Sequence, residues 1–171
     1  WNDKNNKKYH KAYFNKFKNI WNHGDFIEKT TNNGFIIHGR SDATLNPGGV
    51  RIGTAEIYQQ VENIDFISEA IVVDQKWNND VRIVLFVITK KNIRLDSAKI
   101  NIIKNKIRYN CSPKHVPAKI ISIKDIPRTK SGKIVELAVK KLIHNEEIDN
   151  IEALANPKCL KLFKNLKELQ E

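Results

Sequence analysis

Methionine is absent from the 171 residues, and the chain opens on Trp1. This reads as a piece of a larger protein or as a processed chain. Cysteine is scarce: Cys111 and Cys159 are too few for a disulfide framework and suit a reducing compartment, the cytoplasm. No apolar run approaches the length that spans a bilayer, so no membrane partner is expected. No charged stretch leads into an apolar one near the start, so no signal peptide is expected. Arginine is sparse as well: the net charge of +11 comes from 30 basic residues, of which six are arginines. The lysines are spread along the chain rather than clustered. Proteins that read phosphates and bases lean on arginine forks, so nucleic acid is not an expected partner.

What is present organises into short elements. Residues 26–28 and 35–37 read as a hairpin around the turn chemistry of Thr30–Gly34. A helix opens at Thr54, a candidate N-cap, and carries Ile57, Val61 and Ile64 on one face. Ala70–Gln75 and Val81–Thr89 read as strands joined through Asn78, Asn79 and Asp80. The second is apolar on both faces, which predicts a central, covered strand. Asp96 caps a helix bearing Ile100, Ile103 and Ile107, which ends before Pro113 and Pro117. Ala118–Ile123 is a third strand. Ile134–His144 reads as a helix, and Cys159–Leu169 as a last amphipathic one. The fold class expected is α+β: a small sheet of about three strands flanked by helices. Residues 1–41 do not close on themselves and read as the edge of a preceding domain, with 42–171 the domain proper.

Three loops carry unusual chemistry. In Trp21-Asn22-His23-Gly24-Asp25, a carboxylate at the mouth of a hairpin can accept two hydrogen bonds from a ribose diol, although a Gly-Asp turn is commonly only a turn. Residues 39–53 hold four of the seven glycines, with Arg40 and Arg51 among them. Such a loop entering a helix suits an anion; a linker with solvated arginines is the plain alternative. In Pro127-Arg128-Thr129-Lys130-Ser131-Gly132-Lys133, the last lysine can present a point charge to an anion just before a helix. The spacing of a nucleotide-binding P-loop is absent.

In this order the three loops resemble the C-terminal part of an adenylate-forming acyl-CoA synthetase, over nearly the whole chain. Within that family, Thr44–Tyr58, Lys114–Lys119 and Glu152–Pro157 look most like the members that act on acetoacetate. The resemblance implies a ligase that joins a small carboxylic acid, acetoacetate or one similar, to CoA at the expense of ATP. An acyl-AMP intermediate forms first, and the small domain then rotates for thioester formation. Lys133 would be the catalytic lysine of adenylation. Asp25, Arg40, Arg51 and Lys133 would contact ATP or AMP. Gly49 would line the path of CoA, Arg108 would meet one of its phosphates, and Asp42 would be the hinge. Mg²⁺ is expected with ATP, its ligand in the large N-terminal domain, so this chain alone is not expected to turn over.

The competing expectation is a non-catalytic basic module that binds phosphate-rich ligands, CoA or nucleic acid. For His115, in a proline-flanked loop, packing is the expected role. The five histidines show no metal-ligand spacing, so no metal site is expected in this chain. Neither cysteine has a convincing base beside it, so no thiol nucleophile is expected.

Overall fold

The computed structural model describes residues 3–148 and 150–171. The chain divides into two compact units, Trp1–Asp42 and Ala43–Glu171.

The first unit contains a short helix, α1 (Lys7–Tyr13), and a hairpin of β1 (Asp25–Lys29) and β2 (Phe35–Arg40). The helix was not legible in the sequence, where residues 1–20 show no clean period. It is held by aromatic contacts instead: Tyr13 stacks on Trp21 at 4.0 Å between ring centroids, with Tyr9 and Phe14 around the same indole. The hairpin is antiparallel, and its register places Asp25 opposite Arg40.

The second unit is built on a three-stranded mixed sheet in the order β3 (Ile67–Trp77), β4 (Asp80–Thr89), β5 (Lys119–Ser122). The chain is α+β, as the sequence pattern predicts. β3 and β4 pair antiparallel across a two-residue turn. Asn78 and Asn79 both take positive φ there, the backbone of a primed turn whose twist matches that of the strands. β4 and β5 pair parallel, so the chain must cross over, and helix α3 (Ser97–Asn110) makes that crossing. Asp96 caps α3 by accepting from the Lys99 N–H at 2.9 Å.

β4 is the central strand because both of its faces are apolar. Ile83, Leu85 and Val87 join one core with Ile57 and Val61 of α2 (Thr54–Val61), Ile103 and Ile107 of α3, and Leu45 and Ile52. Val84 and Phe86 join a second core with Val139 and Leu142 of α4 (Glu136–Ile143), Leu154, Leu160 and Phe163. Alternation along one strand therefore separates two cores on opposite faces of the sheet.

Three local expectations are corrected. The N-cap of α2 is Gly53, not Thr54; the Glu56 carboxylate reaches back to accept from the Gly53 N–H at 2.9 Å. α4 begins at Glu136 rather than Ile134, because Ile134 forms a β-bridge with Arg128 and the Val135 N–H donates to the Pro127 carbonyl at 3.0 Å. The end of the chain is not an α-helix. Pro157–Phe163 and Lys167–Leu169 are 3₁₀ segments. Leu160, Phe163, Leu166 and Leu169 recur every three residues, the period of a 3₁₀-helix rather than of an α-helix. Positive φ at Asn165 separates the two segments.

Tyr58 closes the outer edge of β3. Its hydroxyl accepts from the Val72 N–H at 3.1 Å and donates to Glu136 at 2.6 Å. Burial is the largest cause pushing the Tyr58 pKa well above the usual tyrosine value, and the Glu136 charge adds to it. We expect Tyr58→Phe to lower stability by about 1–3 kcal/mol, because it leaves the Val72 N–H at the sheet edge without the oxygen that accepts from it. A urea midpoint equal to that of the wild type would contradict this.

Candidate functional site

The sequence-predicted residues fall into three groups. The first lies in the unit Trp1–Asp42. Arg40 ends β2 and reaches back across the hairpin. Its Nε and Nη2 donate to the two Asp42 oxygens at 3.1 and 2.9 Å, and its Nη1 donates to the His23 carbonyl at 3.1 Å. This fork is the largest cause raising the Arg40 pKa above its ordinary value, and the charges of Asp42 and Asp25 act in the same direction. Asp25 sits 3.9 Å from the guanidinium and also meets His23 Nδ1. Its carboxylate is only 17% exposed. Gly24 takes φ +89, which favours glycine, and a Cβ there would press on the Arg40 guanidinium, 3.1 Å from Nη2. Asp25, Arg40 and Asp42 are thus brought together, with an anionic acceptor and a fixed cation side by side.

The second group is the loop 44–53. Leu45 and Ile52 exchange backbone hydrogen bonds of 3.0 and 2.9 Å, which pinches the loop closed at its base. The Gly48 N–H donates to Asp80 at 3.1 Å, anchoring the loop to the β3–β4 turn. Gly49 takes φ +78, and a Cβ there would meet nothing within 4 Å. It borders an open groove with Asn46, Trp77 and Asp80. Arg51 is exposed on the same loop. Glu56, which holds the Gly53 N–H, is itself held by His115 Nε2 at 3.0 Å, while His115 Nδ1 bonds Ser112 Oγ at 2.8 Å. His115 therefore braces the loop through Glu56. Arg108 is exposed on α3, with Nη1 donating to Asn105 at 3.4 Å. α3 and the loop share one face of the sheet.

The third group surrounds Lys133. The helix boundary at Glu136 leaves Lys133 inside the loop rather than next to the helix. Its carbonyl accepts from the Thr129 N–H at 2.8 Å, and its own N–H donates to Thr129 Oγ1 at 3.1 Å. The backbone of Lys133 is fixed and its side chain is exposed, so a located ammonium can reach outward. Ile126 and Leu154, around the ends of this loop, belong to the core on the other face of the sheet, and Val135 packs against it. The structure therefore does not bring Lys133 together with Gly49 and Arg51; it puts their loops on opposite faces.

Sequence reasoning missed Glu69, Asp80 and Asn156, which hold these loops in place. Asp80 was legible as a turn residue, and nothing local marks Glu69. Both thiols are unsuited to attack: burial is the main cause raising the Cys111 pKa and pushing Cys159 up to about 11. Among the described residues, no group of three His, Cys, Asp or Glu is placed to hold a metal, and no helix is long and apolar enough to cross a membrane.

No protein-family profile matches the chain. Individual proteins do. The chain is 59% identical over 170 residues to acetoacetyl-coenzyme A synthetase of Rhizobium meliloti (strain 1021), covering 99% of this chain and 26% of that protein. It is 46% identical over 173 residues to acetoacetyl-CoA synthetase of Danio rerio, with the same coverage. The fold and the loops it carries define the C-terminal part of an adenylate-forming acyl-CoA synthetase, and the chain belongs to that family. It spans about a quarter of the length of the curated relatives it matches, 26% in each of these two. In structure it superposes on acetoacetyl-CoA synthetase from Streptomyces lividans with a TM-score of 0.89 at 36% identity, covering 100% of this chain and 26% of that one. Within the family, the relatives it resembles at these identities are acetoacetyl-CoA synthetases.

Proposed function

We propose that the protein carrying this chain forms acetoacetyl-CoA from acetoacetate, ATP and CoA, and that this chain supplies the lysine of the first step and part of the CoA site of the second. The observation that carries the reading is the separation of the Lys133 loop and the Gly49–Arg51 loop onto opposite faces of one sheet, in a chain so similar to proteins of that name.

In the first step a carboxylate oxygen attacks the α-phosphorus of ATP and pyrophosphate leaves. Two anions must meet, and the Lys133 ammonium offsets their repulsion and the charge that develops on the phosphate. Asp25 accepts hydrogen bonds from the ribose hydroxyls, and Arg40, held by Asp42, presents its positive charge to the nucleotide. In the second step the CoA sulfur attacks the acyl carbon and AMP leaves. Lys133 is then not needed, and the other face is: Arg51 neutralises the AMP phosphate, Gly49 leaves room for pantetheine, and Arg108 meets a CoA phosphate. One rigid domain serves both steps by turning. Residues 42–171 form that mobile domain, residues 1–41 the edge of the larger one, and Asp42 the hinge whose backbone absorbs the rotation.

Mg²⁺ accompanies ATP in this reading, and its ligand belongs to the large N-terminal domain, so no step of this chain runs through it. The cytoplasm fits two unpaired cysteines, and ketone-body metabolism fits the substrate.

The test is pyrophosphate release by the full-length protein with ATP, CoA and, in turn, acetoacetate, acetate, propionate and butyrate. A marked preference for acetoacetate is expected. Preference for another acid would keep the mechanism and discard the substrate. No release with any of the four would discard the reading.

A further inference from the structure

We infer that Glu69 is a positioning residue for adenylation, acting through Arg128 on the loop that carries Lys133. The inference rests on the role proposed for Lys133.

Arg128 holds together both limbs of that loop. Its Nη1 donates to the Gly132 carbonyl at 3.3 Å, next to Lys133, and its own backbone bridges to Ile134. On its other side the Arg128 N–H donates to the Asn156 side chain at 2.9 Å, and its carbonyl accepts from the Ala155 N–H at 2.8 Å. Asn156 is fixed in turn, its amide donating to Asp125 at 2.8 Å and to the Ile126 carbonyl at 2.9 Å. These bonds keep the internal shape of the loop without the guanidinium. What the guanidinium adds is a link to the sheet: its Nη2 pairs with the Glu69 carboxylate on β3, 59 residues away in sequence.

Glu69 is the point at which the loop is registered to a rigid strand. The Glu69 side chain is 40% exposed and that of Arg128 28%, so the pair contributes little to folding stability. Its effect is on where Lys133 stands. A lysine that must bridge two reacting anions tolerates little displacement, and a misplacement of about 1 Å from a change remote from the chemistry can cost about a hundredfold in rate. The second step uses the other face of the domain and does not require this register.

The experiment uses the full-length protein with Glu69→Gln and, separately, Arg128→Lys. Pyrophosphate release from acetoacetate and ATP is measured without CoA. Thioester formation from supplied acetoacetyl-AMP and CoA is measured alongside, with a thermal melt of each variant. We expect Glu69→Gln to lower kcat for adenylation by about ten- to a hundredfold. KM for ATP, thioester formation and the melting temperature should stay near the wild type. Arg128→Lys, which keeps the charge and loses the fork, should fall between the two. Equal loss in both half-reactions, or no loss in adenylation, would overturn the inference. If one variant does not fold, the other decides by the same criterion. Lys133→Ala, run beside them, separates the two failures: selective loss there with none at Glu69 removes only this inference, and no selective loss at Lys133 removes the reading beneath it.

Discussion

Lys133→Ala in the full-length protein should lower pyrophosphate release from acetoacetate and ATP by about a hundred- to a thousandfold, the cost of removing one preorganised electrostatic group from a transition state. That corresponds to about 3–4 kcal/mol of barrier. The same variant should still turn supplied acetoacetyl-AMP and CoA into thioester at close to the wild-type rate. Lys133 is exposed, and its backbone hydrogen bonds to Thr129 do not involve the ammonium, so alanine leaves the loop intact. The split between half-reactions is the decisive reading. A parallel fall in both would mean that Lys133 supports the domain generally, and an unchanged first step would mean that another cation meets the phosphate.

Phe86→Ala is expected to have the largest effect on folding. Phe86 is on the central strand and is fully buried, with its ring edge-to-face with Phe163 at 5.0 Å between centroids. Removing a buried phenylalanine ring costs about 3–5 kcal/mol from lost transfer energy and the cavity left behind. Here the site cannot collapse easily. One side is the hydrogen-bonded sheet, and the other is a 3₁₀ segment whose Leu160 and Phe163 are already buried. The urea midpoint should fall with little change in slope. A loss below about 1 kcal/mol would show that the Pro157–Phe163 segment does not pack on the sheet as described.

How far the sequence could be read depended on how local each cause was. Strand β4 was legible because its apolar residues run continuously, and only a central strand has a use for both faces. The Asp96 cap was legible because its partner, Lys99, is three residues away. The final segment was misread because leucines three apart also resemble a helical face, and only packing chose the tighter period. The start of α4 was misread because Ile134 and Val135 suit either state, and their bridges to 127–128 decided for extension. Asp25, Arg40, Arg51 and Lys133 could be singled out, since charges beside glycines are conspicuous, and Gly49 followed from the family resemblance.

What holds those residues was another matter. Glu69 is an ordinary carboxylate in a strand and meets Arg128 across 59 residues of sequence. Asn156 lies 28 residues from Arg128, and Asp80 lies 32 from Gly48. The composition and the order of most elements were set by residue type and short-range spacing, and so were readable from the chain alone. The placement of the two loops on opposite faces, and the pairings that fix each of them, came only with the tertiary structure. A side-chain contact between distant residues depends on how strands are ordered in the sheet, and no local propensity encodes that order.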